Sequence, residues 1–131
     1  VRRILVIDDE ADIREVIQLT LELTRGWEIL AAESGREGIA LAASRNPDAI
    51  LLDVMMPEMD GVATFARLQA EVATCAIPVV LLTAKAQSAD KRRFAALGVA
   101  GVIAKPFDPR GLTDQLEVLL GWNAGREGQV V

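Results

Sequence analysis

Polar side chains able to do chemistry sit directly after short apolar runs. Asp8-Asp9-Glu10 follow Ile4-Leu5-Val6-Ile7, and Asp53 ends Ala49-Ile50-Leu51-Leu52 within "DAILLDVMMPEMDG". Thr83 follows Pro78-Val79-Val80-Leu81-Leu82, and Lys105-Pro106 follows Gly101-Val102-Ile103-Ala104. Carboxylates gathered at one place repel one another and raise each other's pKa values. A hard divalent cation removes that conflict, and an all-oxygen site with few protein ligands suits Mg²⁺. With an ammonium and a hydroxyl added, the set suits a phosphoryl group: cations neutralise its oxygens, the hydroxyl orients one, and a carboxylate is left as nucleophile. Each piece alone has an ordinary explanation. Asp9 or Glu10 can cap a helix, Thr83 can be a turn residue, and Lys105 can be a solvated charge. Asp53 stands apart, because a carboxylate ending a buried run needs partners or shifts its pKa.

Whether these residues meet depends on the elements that carry them. The apolar runs are short, and three are continuous and rich in β-branched residues or leucine, as strands buried on both faces are. The second run, Trp27-Glu28-Ile29-Leu30-Ala31, contains a charge and reads as an edge strand. Between the runs lie segments of helical spacing. The first helix carries Ile13, Val16, Ile17, Thr20 and Leu21 on one stripe. Ser34-Gly35-Arg36-Glu37 has the form of a capping box and opens a helix with Ile39, Ala42 and Ala43. Asp60 caps a third helix with Phe65, Leu68 and Val72 on its stripe. A fourth spans about 88–97 and stops at Gly98. Asp108-Pro109 starts a fifth, with Leu112, Leu116, Leu119 and Leu120, which ends at Gly121. Strict alternation of strand and helix predicts one α/β domain, a doubly wound (βα)5 unit over 1–121 of flavodoxin-like type. Its parallel five-stranded sheet takes the order 2-1-3-4-5. The glycine-containing end, "GWNAGREGQVV", predicts a flexible tail or the start of a linker over 122–131. In such a sheet ligands bind beyond the carboxyl ends of the strands, so Asp8, Asp9, Asp53, Thr83 and Lys105 converge.

Composition narrows the function. The 131 residues suit one domain, and 51% hydrophobic content suffices for a core. The net charge of −5 argues against nucleic-acid contact by this domain. There is no histidine, which excludes Ser-His-Asp and Cys-His sites, histidine metal ligands and histidine phosphotransfer by the chain itself. One cysteine, Cys75, forms no internal disulfide and has no activating neighbour, so no catalysis is assigned to it. No run approaches the roughly 20 apolar residues that cross a bilayer, and no signal peptide is visible. The expectation is a cytoplasmic domain that contacts no membrane.

Over residues 2 to 120 the sequence resembles the receiver domain of response regulators in bacterial two-component signal transduction, of the chemotaxis-regulator-like kind. The motifs are "ILVIDDE", "DAILLDVMMPEMDG", "PVVLLTA" and "GVIAKPF", in that order. The resemblance implies that Asp53 is the phosphoacceptor, taking a phosphoryl group from the phosphohistidine of a histidine kinase or phosphotransfer domain. It implies that Asp8, Asp9, Asp53 and the backbone carbonyl of Met55 hold Mg²⁺. Thr83 and Lys105 then contact phosphoryl oxygens, the Lys105-Pro106 bond is cis, and Pro57 and Gly61 shape the loop after the acceptor. By the same resemblance, the first helix, with Ile13, Arg14 and Ile17, contacts the kinase or phosphotransfer partner, its core-facing and partner-facing residues not being separable from sequence. The fourth helix, with Lys91-Arg92-Arg93, joins the fifth strand and fifth helix in a face for an output domain or a homodimer. The domain acts only on itself and is not a turnover enzyme. One position departs from the pattern: Val102 stands where an aromatic residue commonly switches. Activation is therefore expected to run through the loop 84–88 and the fourth helix.

Other classes are set against this reading. An aspartyl-phosphate phosphohydrolase using Mg²⁺ usually carries a second Asp two residues after the nucleophile, where this chain has Met55. A flavin or nucleotide domain needs a glycine-rich loop where this chain has Asp8-Asp9-Glu10. A degenerate receiver used only for docking would not need the acid pair, Asp53, Thr83 and Lys105 together. Trp122 is expected to pack back on the last helical turn, and Trp27 to lie in the core or at its rim.

Overall fold

The alternating runs become five strands and five helices in the computed structural model, which describes residues 1–84 and 88–122, side chains of 88 and 89 excepted. The elements are β1 (Arg3–Ile7), α1 (Ala11–Arg25), β2 (Glu28–Ala32), α2 (Gly35–Arg45), β3 (Ala49–Asp53), α3 (Gly61–Ala70), β4 (Val79–Thr83), α4 (Ser88–Ala95), β5 (Gly101–Ala104) and α5 (Pro109–Leu120). All strand pairs are parallel, in the order β2-β1-β3-β4-β5, as the alternation predicts. Of the tail expected over 122–131, Trp122 is packed against Trp27 and residues 123–131 lie outside the described residues, as do 85–87 of the loop expected to drive activation.

The pleat sorts each strand onto two faces. Leu5, Ile7, Ile50, Leu52, Val79 and Leu81 pack with Ala42, Phe65, Leu68 and Phe94 under α2, α3 and α4. Ile4, Val6, Leu51, Val80, Leu82 and Ile103 pack with Ile17, Leu21, Leu112 and Leu116 under α1 and α5. Burying each such aliphatic side chain contributes about 1.5–3 kcal/mol. Edge strand β2 is only half-buried, and its Glu28 pairs with Arg3 and Arg45.

Local signals set the helix boundaries. Ser34 Oγ accepts from the Glu37 amide at 3.2 Å, but Glu37 returns its bond to Glu33 N, 2.7 Å away, and not to Ser34. Asp60 and Asp108 cap α3 and α5 through the amides of Ala63 and Arg110. Gly26, Gly98 and Gly121 all have positive φ; Gly98 lies in the turn after α4. Helix α3 is shorter than its stripe predicted. It ends at Ala70, Glu71 turns extended, and Val72 is left 94% exposed. Thr64 and Gly61 complete the buried face instead. On α1, Ile17 and Leu21 are buried in the core, so Ile17 does not serve the partner contact expected of this helix, while Val16 faces outward. Trp122 packs back on the end of α5 as expected: its amide donates to Glu117 O at 2.7 Å, and its ring meets Trp27 edge to face at 5.5 Å.

Candidate functional site

The register of the sheet assembles the polar strand ends. Ile7 lies opposite Leu52, so Asp8 and Asp53 come out side by side. Asp53 lies opposite Leu82, and Thr83 opposite Ala104, which places Thr83 and Lys105 at the same edge. The Lys105 amide donates to Thr83 O at 2.8 Å. Asp8, Asp53 and Thr83 are all buried. Asp9 and Glu10 are exposed at the rim.

One ammonium ties the cluster together. Lys105 Nζ lies 2.8 Å from Asp8 Oδ2, 3.2 Å from Asp53 Oδ1 and 3.5 Å from Glu10 Oε1. Asp8 Oδ1 accepts from the Glu10 amide, and Asp53 Oδ1 accepts from the Met55 amide at 3.3 Å. Asp53 Oδ2 is buried with no hydrogen-bond partner. Such an atom is costly unless something binds it. Burial, then the neighbouring Asp8 charge, push the Asp53 carboxyl up to about 6, against the opposing pull of Lys105. Burial would lower the Lys105 ammonium, but its contacts with Asp8 and Asp53 together raise it.

The donor set fits a divalent cation. Ligand oxygens of Asp8, Asp9, Glu10 and Asp53 lie within 4.8 Å of one another, and Asp53 Oδ2 is buried without a hydrogen-bond partner. All four offer hard carboxylate oxygens, as Mg²⁺ or Ca²⁺ prefers.

Sequence reasoning named Glu10 and Arg14 but missed what each does at this site. Glu10 occupies the N-cap position of α1 but makes no side-chain capping bond; its carboxylate turns to Lys105. Arg14 donates to the backbone carbonyl of Asp8 at 2.7 Å and holds the β1–α1 turn. The available signal was an arginine one turn into the helix that follows an acidic triplet. Gly61 shapes the loop after Asp53 by allowing a close approach of backbones. Its φ is not positive; a Cβ there would come within 2.7 Å of Val54 Cα and collide with Asp53 O. The Lys105-Pro106 bond is cis. Val102 is half-buried beside the α2–α4 core, opposite Leu81. Beside the cluster, a cleft of about 340 Å³ runs between α1 and the β5–α5 turn, lined by Ile13, Val16, Pro106, Phe107 and Pro109.

Comparison with known proteins agrees with this arrangement. Residues 4–117 match the family model described as the response regulator receiver domain. The chain is 40% identical over 119 residues to the phosphate regulon transcriptional regulatory protein PhoB of Pseudomonas aeruginosa, covering 91% of this chain and 52% of that protein. It is 35% identical to Protein PilH of the same organism, covering 90% of this chain and 97% of that one. Among solved structures, chemotaxis protein CheY4 of Vibrio cholerae superposes with a TM-score of 0.83 at 30% identity, covering 90% of this chain and 98% of that chain. The chain spans about half the length of several curated relatives it matches, PhoB among them. No helix of the described residues is long and apolar enough to cross a membrane. With the acid cluster, the lysine and the threonine gathered at one sheet edge and the match running from β1 into α5, the chain belongs to the response regulator receiver domains.

Proposed function

We propose that the domain is a phosphorylation-dependent switch that accepts a phosphoryl group on Asp53. The observation that carries this reading is the buried, unpartnered Asp53 Oδ2 beside a cation-bearing acidic cluster. Asp53 attacks the phosphorus of a phosphohistidine on a histidine kinase or phosphotransfer partner. The new P–O bond forms as the P–N bond breaks, and the imidazole leaves with a proton. Water later attacks the acyl phosphate, releasing inorganic phosphate and restoring the carboxylate. The domain thus acts only on itself and is not a turnover enzyme.

Asp8, Asp9, Asp53 and the Met55 carbonyl would hold Mg²⁺, which neutralises charge on the phosphoryl oxygens. Lys105 moves from pairing Asp8 and Asp53 to pairing a phosphoryl oxygen, and Thr83 hydrogen-bonds another. That exchange favours one of two conformations, because the phosphoryl group binds one better than the other. With Val102 lacking a ring, the change passes through the loop 84–88 and α4. The exposed apolar residues of α1 and the neighbouring cleft support a docking face for the kinase or phosphotransfer partner. Helix α4, β5 and α5 supply the face for an output domain or a second copy. The acidic balance supports a domain that itself contacts no nucleic acid, and a cytoplasmic setting suits this chemistry.

Incubation with Mg²⁺ and a small phosphodonor, followed by intact mass, tests the reading. The expected result is a gain of one phosphoryl group that disappears in Asp53→Asn. No gain with several donors and no beryllofluoride binding would show a domain used only for docking.

A further inference from the structure

We infer that the cleft between α2 and α3 is a docking site for a short acidic segment of a partner protein, separate from the phosphoacceptor cluster. The cleft has a volume of about 360 Å³ and is lined by Arg36 and Ile39 of α2, Met59 of the β3–α3 loop and Arg67 of α3.

The arginines of this acidic domain are mostly spoken for. Arg3 and Arg45 share Glu28, and Arg25 binds Asp114 and Glu117. Arg93 pairs with Asp90 and Arg110 with Asp108. Arg14 holds a backbone carbonyl, and Arg2 lies over the Trp122 ring. Among the described residues, Arg36, Arg67 and Arg92 have no such partner, and two of these line the same cleft. Arg36 is also badly placed for its own helix. It sits in the first turn of α2, where the helix dipole disfavours a cation. Glu37, the adjacent carboxylate, is committed to the Glu33 amide. Nothing in the local structure explains a positive charge there, and a second guanidinium across the cleft adds repulsion. An anion spanning α2 and α3 removes both costs, and the guanidinium fork matches carboxylates in particular.

The rest of the lining selects a peptide over a bare anion. Ile39 and Met59 add apolar lining beside the charges, and a methionine thioether adapts to varied side chains. Met59 is held close to α2: a Cβ on Gly35 would come within 3.1 Å of its Sδ. A segment with carboxylates on either side of an apolar residue therefore complements all four positions. Binding here does not depend on phosphorylation, although Met59 lies in the loop that returns from Asp53 to α3.

The test is an amide-shift titration of the whole chain with a synthetic peptide of alternating aspartate and leucine. A lysine–leucine peptide of equal length serves as the opposite-charge control. Shifts are expected at 36–39, 59 and 63–67, with affinity reduced about tenfold or more by Arg36→Ala/Arg67→Ala. Arg92→Ala should leave it unchanged, and replacing leucine by serine in the peptide should weaken it. Both cleft arginines are exposed, so a matching thermal midpoint shows that the double variant is folded. The proposal is overturned by no saturable shift, by an equal loss in Arg92→Ala, or by binding of the lysine peptide. It is also overturned if inorganic phosphate saturates the same amides as tightly as the peptide, which means an adventitious ion only.

Discussion

The two ends of the sheet are built on opposite terms. At the amino ends of the strands, arginines, carboxylates and tryptophans pair with one another. Arg2 stacks over Trp122 at 3.9 Å, Trp122 meets Trp27, and the Trp122 and Gly121 amides close the end of α5 on Glu117 and Val118 carbonyls. The Arg3 amide donates to Asp48 Oδ2, and its guanidinium to Glu28 and the Arg45 carbonyl. At the carboxyl ends, Asp8 and Asp53 share one ammonium, and Asp53 Oδ2 is buried and bare. The contrast locates function: one end contributes stability, and the other holds unresolved charge that a cation and a phosphoryl group can resolve.

Separate perturbation of the two ends should give separate readouts. The largest effect belongs to Trp27→Ala, which removes a buried indole and strips Trp122 of its ring partner; urea unfolding should show a loss of about 3–5 kcal/mol. Below the unfolding midpoint the phosphoryl gain at Asp53 should persist, and its disappearance in a still-folded variant would break the comparison. Lys105→Ala leaves the buried Asp8 and Asp53 carboxylates without a cation. Without metal it should cost about 3 kcal/mol, much of it recovered on adding Mg²⁺. The variant should still accept a phosphoryl group but show smaller backbone shifts on doing so than the parent.

Asp53→Asn should act in the opposite sense and stabilise the metal-free domain at pH 7 by about 1–2 kcal/mol, measured by chemical unfolding. The sign follows from the raised carboxyl. Below the ordinary value of 3.8 the group is protonated in both folded and unfolded chains and costs nothing. Between there and about 6 the unfolded chain has lost the proton and the folded one keeps it, so stability falls as pH rises. Above that range the burial cost is fully present. The parent should therefore lose stability from pH 4 to pH 7 relative to Asp53→Asn, and parallel curves would contradict the raised carboxyl. The smallest effect is Arg2→Ala, which removes one cation–π contact at the surface, about 0.5–1 kcal/mol. Its readout is tryptophan fluorescence, since both tryptophans of the chain lie in this cluster.

Much of the fold was legible because its signals are local. Capping residues at Ser34, Asp60 and Asp108 act on amides two or three positions away. The apolar runs marked the strands to within a residue. Where local pattern was trusted too far it failed: Val72 continues the helical spacing of Phe65 and Leu68, yet the chain turns extended at Glu71 and no layer covers it. At the site, residue types marked Asp8, Asp9, Asp53, Thr83 and Lys105 as a set. They did not reveal that Glu10 turns away from its capping position or that Arg14 braces Asp8, because both depend on where the helix docks.

From sequence alone came the alternation of strand and helix, the absence of histidine, and a polar residue after each central strand, all carried by side-chain chemistry and short-range spacing. Tertiary structure decided what those residues mean to one another. Register set Asp8 beside Asp53, and burial left one carboxylate oxygen bare. Docking of α5 brought Trp122 onto Trp27, and packing of α2 on α3 left two unpaired arginines facing one cleft. Such distances between residues far apart in sequence exist only once parallel strands pair and helices settle on both faces.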